Sequence, residues 1–133
     1  MEYHILPMQD VADAMTVCVL PSENSGYRSY KWEKSKKRSG TSQHCYGQDE
    51  DGLFDINAKG ATDWTCDDFP HHKDDLLAKM IEHSEYTRFA VYASFIHADY
   101  KNTRGTRQLF HYGKVWNEGK EKDEWKWIFD KNV

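Results

Sequence analysis

The chain has 133 residues and a net charge of −4, and 38% of its residues are hydrophobic and 14% aromatic. This length favours one domain, residues 1–133, whose core must draw on aromatic rings because aliphatic side chains are few. The negative charge argues against a general affinity for nucleic acid, and we expect a monomer.

The sequence predicts neither export nor insertion into a membrane. Residues Met1 to His4 lack a basic region, and the apolar run from Val11 to Leu20 is short and contains Asp13. The three cysteines are an odd and small number, which argues against a disulfide framework and suits a reducing compartment. We therefore expect cytoplasmic synthesis without a signal peptide and no membrane partner.

Residues 3–20 allow two predictions. Asp10 is placed to cap a short helix that begins at Val11. Alternatively, Met15 to Leu20 form a buried strand, because β-branched residues recur in this run. Pro21 ends the element in either case.

A basic segment follows the first turn of the chain. Tyr30 to Arg38 predict a short surface helix that ends at Gly40. Its cations form a solvated helix face or, alternatively, a contact for an anionic polymer such as nucleic acid or cell wall. These cations are Lys31, Lys34, Lys36, Lys37 and Arg38.

The second half of the chain predicts most of the regular structure. Ala61 to Cys66 contain the β-branched and aromatic residues that are typical of a strand. Asp67, Asp68 and Pro70 mark a helix start, and apolar residues at helical spacing extend this helix over residues 70–84. Four strand-like runs come after it: Thr87–Tyr92, Phe95–Tyr100, Arg107–Tyr112 and Trp125–Phe129.

These elements predict an α+β fold, in which a small antiparallel sheet packs against one clear helix and one short helix. Asn102 to Thr106, with Gly105, predict a turn that joins the second and third of the four late strands. The last strand alternates, which predicts a sheet edge whose Trp125, Trp127 and Phe129 face the core.

Two histidines stand where they could bind a metal. On a strand over Phe95 to Tyr100, His97 and Asp99 share one face. Asp99 could then orient His97 through a hydrogen bond or act on a water molecule. His44 lies on a polar loop beside Gly47, where the backbone can bend. A zinc hydrolase needs three protein ligands and an open fourth position, and imidazoles with one carboxylate are a usual set.

Three motifs follow one another in the chain, namely Ser25-Gly26-Tyr27-Arg28-Ser29, Ser42-Gln43-His44-Cys45-Tyr46-Gly47 and Phe95-Ile96-His97-Ala98-Asp99. In this order, with a helix before the last, they resemble the zinc D-Ala-D-Ala carboxypeptidase and L-alanyl-D-glutamate endopeptidase family. That family includes phage endolysins, the vancomycin-resistance dipeptidases and the Hedgehog-type fold. The resemblance covers roughly residues 20–112.

The resemblance implies a set of site residues. It implies that His44 and His97 bind zinc, and that Arg28 holds the substrate carboxylate or the oxyanion. Many members place Glu or Asp three residues before the last histidine, where this chain has Ser94. Asp99 is then the substitute for the catalytic base.

The carboxylate ligand of the family, in the pattern Ala-x-Asp, has three candidates in this chain. Asp63 is preferred because Ala61 precedes it by two residues and an apolar residue follows it. Residues 48–60 would then be an inserted loop. Asp51, which has the family spacing, is the second candidate and Asp55 the third.

The function implied by the resemblance is that of a zinc metallopeptidase, a DD-carboxypeptidase or a murein endopeptidase. Its substrate would be a peptidoglycan stem peptide with D-amino acids, and its setting a phage lysin released to the wall by another protein or on cell lysis, or a virion-borne hydrolase. The alternative is a non-catalytic, zinc-stabilised binding module of the same fold. Cys45, Cys66 and His71 could instead form a structural zinc site, although their spacing matches no zinc-finger pattern.

Overall fold

The computed structural model describes residues 3–22, 30–38, 42–53, 59–102 and 104–133. Within these ranges the chain forms three α-helices, one short 3₁₀ turn and one six-stranded sheet. In chain order the elements are α1 (Ile5–Ala14), β1 (Val19–Pro21), α2 (Tyr30–Ser35), the 3₁₀ turn (Gln43–Cys45), β2 (Ala61–Cys66), α3 (Phe69–His83), β3 (Arg88–Val91), β4 (Ile96–Asp99), β5 (Gln108–Asn117) and β6 (Lys122–Asn132).

The sheet has the strand order β1-β2-β4-β3-β5-β6. All neighbouring strands are antiparallel except β3 and β5, which are parallel. The α+β class is therefore confirmed, but the sheet is larger than expected and is mixed. The segment 102–106 does not close a hairpin, because β3 lies between the two strands that this segment joins.

Local sequence signals locate several elements well. Strand β2 has the predicted bounds, and α3 begins one residue before its predicted start. Asp68 occupies the N-cap position of α3 with a positive φ of 51°, but its side chain makes no capping bond and accepts a hydrogen bond of 2.8 Å from Nδ1 of His71 instead. Near the N-terminus neither alternative holds as predicted. Helix α1 begins at Ile5, so Asp10 lies inside the helix and not at its cap, and the strand has only three residues, of which Leu20 is 49% exposed.

The two faces of the sheet have different roles. On β4, Ile96 and Ala98 join the apolar core with residues of α1 and α3, while His97 and Asp99 point to the opposite face. Strand β2 alternates in the same way, since Trp64 belongs to this core. Helices α1 and α3 therefore cover one face of the sheet, and Asp63, His97 and Asp99 project from the other.

The prediction that Trp125, Trp127 and Phe129 face the core is wrong, because none of them belongs to the apolar core and Trp127 lies beside His97 on the opposite face of the sheet. Strand β6 is an edge strand as expected, but Trp125 is 57% exposed and Phe129 51% exposed. Phe129 pairs with Phe110 beside β3 and is exposed on the edge strand, whereas the exposure of Trp125 follows from the length of the β5–β6 hairpin. Only residues 108–111 of β5 pair with β3, so the rest of the hairpin extends beyond the other strands as a two-stranded arm.

No helix among the described residues combines the length and the apolar character needed to span a bilayer. Cys18, Cys45 and Cys66 are free thiols, of which Cys45 and Cys66 are buried.

Candidate metal centre

The short 3₁₀ turn positions His44 above the polar face of the sheet. Ser42 precedes the turn and its Oγ accepts a hydrogen bond of 3.2 Å from the backbone N–H of His44. Tyr46 follows in the left-handed conformation, with a φ of 52°, which reverses the chain after the turn. His44 and Cys45 are thereby both buried.

A contact between Tyr46 and Gly60 fastens this turn to β2. The hydroxyl of Tyr46 donates a hydrogen bond of 3.2 Å to the carbonyl oxygen of Ala61. Gly60 has a φ of 76°, and a Cβ atom at this position would lie 2.1 Å from Cε1 of Tyr46. Only glycine fits both the backbone angle and the ring. The contact fixes where the His44 turn lies relative to the strand that carries Asp63.

Asp63 and His97 lie directly opposite each other on β2 and β4. Because the two strands are antiparallel neighbours, both side chains project from the same face of the sheet. Nδ1 of His97 donates a hydrogen bond of 2.9 Å to Oδ1 of Asp63, and Nε2 of His44 lies 3.3 Å from the same oxygen. One carboxylate oxygen thus faces both imidazole rings.

His44, Asp63 and His97 form a buried group that could hold a metal ion. One ligand atom from each residue can be chosen so that all three atoms lie within 4.8 Å of one another. Two imidazole nitrogens and a carboxylate oxygen are donors typical of a metal site with one open position. The described residues contain no other group of three or more potential ligands, so Cys45, Cys66 and His71 do not form a site.

The charges of the group depend on one another. Burial disfavours the charged carboxylate of Asp63, but hydrogen bonds from His44 and His97 outweigh this effect and lower its pKa to about 2. Burial also disfavours the charged form of His97, yet its hydrogen bonds to Asp63 and Asp99 raise its pKa above the ordinary value. The raised pKa favours the imidazolium form of His97, in which one ring N–H faces Asp63 and the other faces Asp99.

Asp99 lies on the far side of the His97 ring from Asp63. Nε2 of His97 donates a hydrogen bond of 2.8 Å to Oδ2 of Asp99. The Nε and Nη2 atoms of Arg88 donate to the two oxygens of Asp99 at 2.8 and 2.6 Å. Burial opposes ionisation of Asp99, but the bonds from His97 and Arg88 outweigh it and lower the pKa of this carboxyl. With both oxygens engaged, the geometry favours the orienting role of Asp99 over the role of a base.

The other candidate ligands do not join this group. Asp51 lies in an exposed turn, where its backbone N–H donates to Oδ1 of Asp49. Asp55 and Arg28 lie outside the described residues, as does the whole of the first motif, and their predicted roles stay predictions.

Two residues at the site were not predicted from the sequence. Arg88 begins β3 and reaches Asp99, and Trp127 on β6 places its ring 5.1 Å from the ring of His97, centroid to centroid. Neither belongs to a local motif with its partners. For Trp127 the sequence does contain one signal, the alternation along β6, which places Trp127 on the same face of the strand as Trp125.

No protein-family model, curated protein or solved structure matches this chain. The site is therefore interpreted from its own geometry and chemistry.

Proposed function

We propose that the chain is a zinc-dependent peptidase that hydrolyses stem peptides of peptidoglycan. The observation that carries this proposal is the convergence of His44, Asp63 and His97 in one buried group. Two imidazoles and one carboxylate match the donor set of catalytic zinc sites, which leave one position open for water or substrate. The order of the motifs that contain these residues resembles the zinc D-Ala-D-Ala peptidases and their Hedgehog-type fold, and this supports the choice of substrate.

Each residue has a distinct task in this proposal. Zinc, when bound, polarises the peptide carbonyl and lowers the pKa of water. His44, Asp63 and His97 would hold the ion, and Nδ1 of His97 would be the ligand atom because this nitrogen faces Asp63. Nε2 of His97 donates to Asp99, which fixes the tautomer and orientation of the ring. Arg28 would hold the anionic group of the substrate.

The experiment has two steps, metal content and turnover. Protein purified without chelator and without a histidine tag should contain about one zinc per chain. The loaded protein should release new amino groups from purified peptidoglycan, and His97→Ala should abolish both zinc retention and release. The matched control is His71→Ala, because His71 is exposed and its side-chain partner among the described residues is the nearby Asp68. Release that is unchanged in His97→Ala would refute the proposal.

A second candidate function is a non-catalytic module that uses zinc for stability. The engagement of both oxygens of Asp99 by Arg88 and His97 favours it, because a carboxylate in such a pair is a poor acceptor for a proton from water. Ser94, which stands at the family position of the base, also favours it. One zinc per chain together with no turnover on any wall substrate would support this function over the peptidase.

A further inference from the structure

Strand β6 forms one edge of the sheet and has a neighbouring strand on one side only. It runs from Lys122 to Asn132 and pairs with β5, and no other strand of the described chain pairs with it. The backbone N–H and C=O groups that point away from β5 are therefore available to another strand. Proteins usually keep such edges short or cover them, so an edge of 11 residues is expected to have a partner.

A stack of aromatic rings crosses the sheet and ends at this edge. The ring centroids of Phe95 and Tyr92 lie 4.4 Å apart, and the two ring planes differ by 14°. Tyr112 continues the stack at 4.5 Å from Tyr92, and Trp125 on β6 follows at 5.4 Å from Tyr112. Trp125 is the last ring and is 57% exposed. An aromatic side chain on a strand added beside β6 would therefore pack against Trp125.

The regular part of the edge runs from Lys122 to Phe129. Each of these residues pairs with one residue of β5, and a shift in register between Leu109 and Phe110 interrupts the pairing beyond them. When two copies of a strand pair with two-fold symmetry, one residue lies opposite its own copy. Two antiparallel registers then use nearly all of the regular part, one centred on Trp125 and the other on Lys126.

The charges along β6 favour the register centred on Trp125. In this register Glu124 of each copy lies opposite Lys126 of the other, which gives two pairs of opposite charge, and the two Trp125 rings meet on the other face of the strand. Glu124 also lies 3.3 Å from Lys120 of its own chain, and one carboxylate can accept from two cations. The other register would place the two Lys126 side chains opposite each other, which is unfavourable. The edge charges thus oppose one register and support the other.

The geometry points to a dimer in which β6 of one copy pairs with β6 of a second copy, antiparallel and centred on Trp125, in place of the monomer expected from the sequence. The two six-stranded sheets then form one continuous sheet. Its two-fold axis is perpendicular to the sheet, so both copies present the same face on the same side. Because His97 and Trp127 lie together on this face, the two candidate metal centres open to the same side. The dimer does not depend on the proposed peptidase function.

Sedimentation equilibrium of the full chain, with chelator present to prevent association through metal, tests the dimer. The wild-type protein should approach twice the mass of one chain as its concentration rises. Glu124→Lys and Lys126→Glu each convert both pairs of opposite charge into pairs of like charge, so each should raise the dissociation constant of the dimer about tenfold. The control variants are Glu82→Lys and Lys79→Glu, which change an exposed charge pair on α3 and should leave the association unchanged. A wild-type protein that stays monomeric at every concentration would overturn the inference.

A mixture of the two edge variants distinguishes a lost charge pair from a misfolded chain. Glu124→Lys mixed with Lys126→Glu should form a heterodimer about as tight as the wild-type dimer, because opposite charges again face each other at both positions. A mixture that associates no better than either variant alone would overturn the proposed register.

Amide hydrogen exchange locates the interface. At high protein concentration the amides of residues 122–128 that point away from β5 should exchange at least about tenfold more slowly than in dilute protein, while those of α3 should not change. Protection that appears elsewhere in a dimer would show that the copies associate through another surface and would also overturn the inference.

Discussion

The ring of His97 connects Asp63 and Asp99 through its two nitrogens, with Nδ1 at 2.9 Å from Asp63 and Nε2 at 2.8 Å from Asp99. If Nδ1 binds the metal, Asp99 is the partner that orients the ligand. Asp99→Asn should then weaken zinc binding by about 10–100-fold. Competition with a chromophoric chelator measures this change.

The chain offers a matched control for that substitution. Nδ1 of His111 donates a hydrogen bond of 2.7 Å to Asp130 on the β5–β6 hairpin, away from the metal centre. Asp130→Asn should leave zinc affinity unchanged. An Asp99→Asn protein that keeps full zinc affinity but loses turnover would instead assign Asp99 the role of the base.

Removal of Arg88 should destabilise the protein strongly. Asp99 is fully buried, and Arg88 supplies two of its hydrogen bonds. Arg88→Gln leaves a buried carboxylate without its cation, which should lower the free energy of unfolding by about 3 kcal/mol. Urea denaturation of the metal-free protein measures this loss. The exposed Arg104 serves as control, since Arg104→Gln should cost less than about 0.5 kcal/mol.

The double variant tests the cause of that loss. Arg88→Gln combined with Asp99→Asn removes the buried charge together with its partner and should recover part of the stability. If the double variant is as unstable as the sum of the two single variants, the loss does not come from the unpaired carboxylate.

Gly60→Ala should disturb the metal centre through Tyr46. The substitution places a Cβ against the Tyr46 ring at a positive φ, and should cost more than about 2 kcal/mol because the strain and the clash add. Gly105→Ala is a close control, since Gly105 has a φ of 80° but no atom within 4 Å of the added Cβ. Thermal unfolding of both variants separates the two effects, because both substitutions strain a positive φ but only Gly60→Ala also adds the clash with Tyr46. Equal losses in the two variants would show that the Tyr46 contact contributes nothing.

His4 should make stability depend on pH. It is buried; its Nε2 donates to the carbonyl oxygen of Lys59 at 2.6 Å, and its Nδ1 lies 2.8 Å from the hydroxyl of Tyr86. Burial lowers the pKa of His4, so the unfolded chain binds this proton at a higher pH than the folded protein. The contribution of His4 to the free energy of unfolding is thus present above about pH 6.5 and is lost as the pH falls towards the lower folded pKa.

The raised pKa of His97 acts in the opposite direction, because it adds stability at low pH that is lost as the pH rises. The effect of His4 is therefore measured as the difference between the wild-type protein and His4→Gln, with chelator present. This difference should shrink between pH 7.5 and 5.5 in urea denaturation. A difference that is constant with pH would mean that the burial of His4 does not affect its titration.

The sequence predicted the parts of the fold that local signals determine. Strand β2 and helix α3 follow from β-branched residues and from helical spacing, and these signals lie within one element or its cap. The resemblance of the motif order predicts His44, Asp63 and His97 as ligands, and the structure brings these three side chains together. The choice of Asp63 over Asp51 depended on the residues that flank it.

The order of the strands could not be predicted, because it depends on pairings between distant segments. Strand β3 lies between β4 and β5, but the sequence of a single strand does not indicate which strands it pairs with. Arg88 was overlooked for the same reason, since its partner Asp99 becomes a neighbour only through the pairing of β3 with β4. The exposure of Trp125 was misjudged because alternation identifies a strand face but not the layer that covers it.

The separation of the three candidate ligands along the chain has a kinetic consequence. Asp63 and His97 are 34 residues apart and meet only when β2 pairs with β4. An unfolded chain offers the ion no such site, so zinc would bind after the strands have assembled. An interaction that forms only after the transition state for folding slows unfolding and leaves the folding rate unchanged. A bound ion would thus lengthen the lifetime of the folded molecule, while the rate of folding would be set by the chain alone.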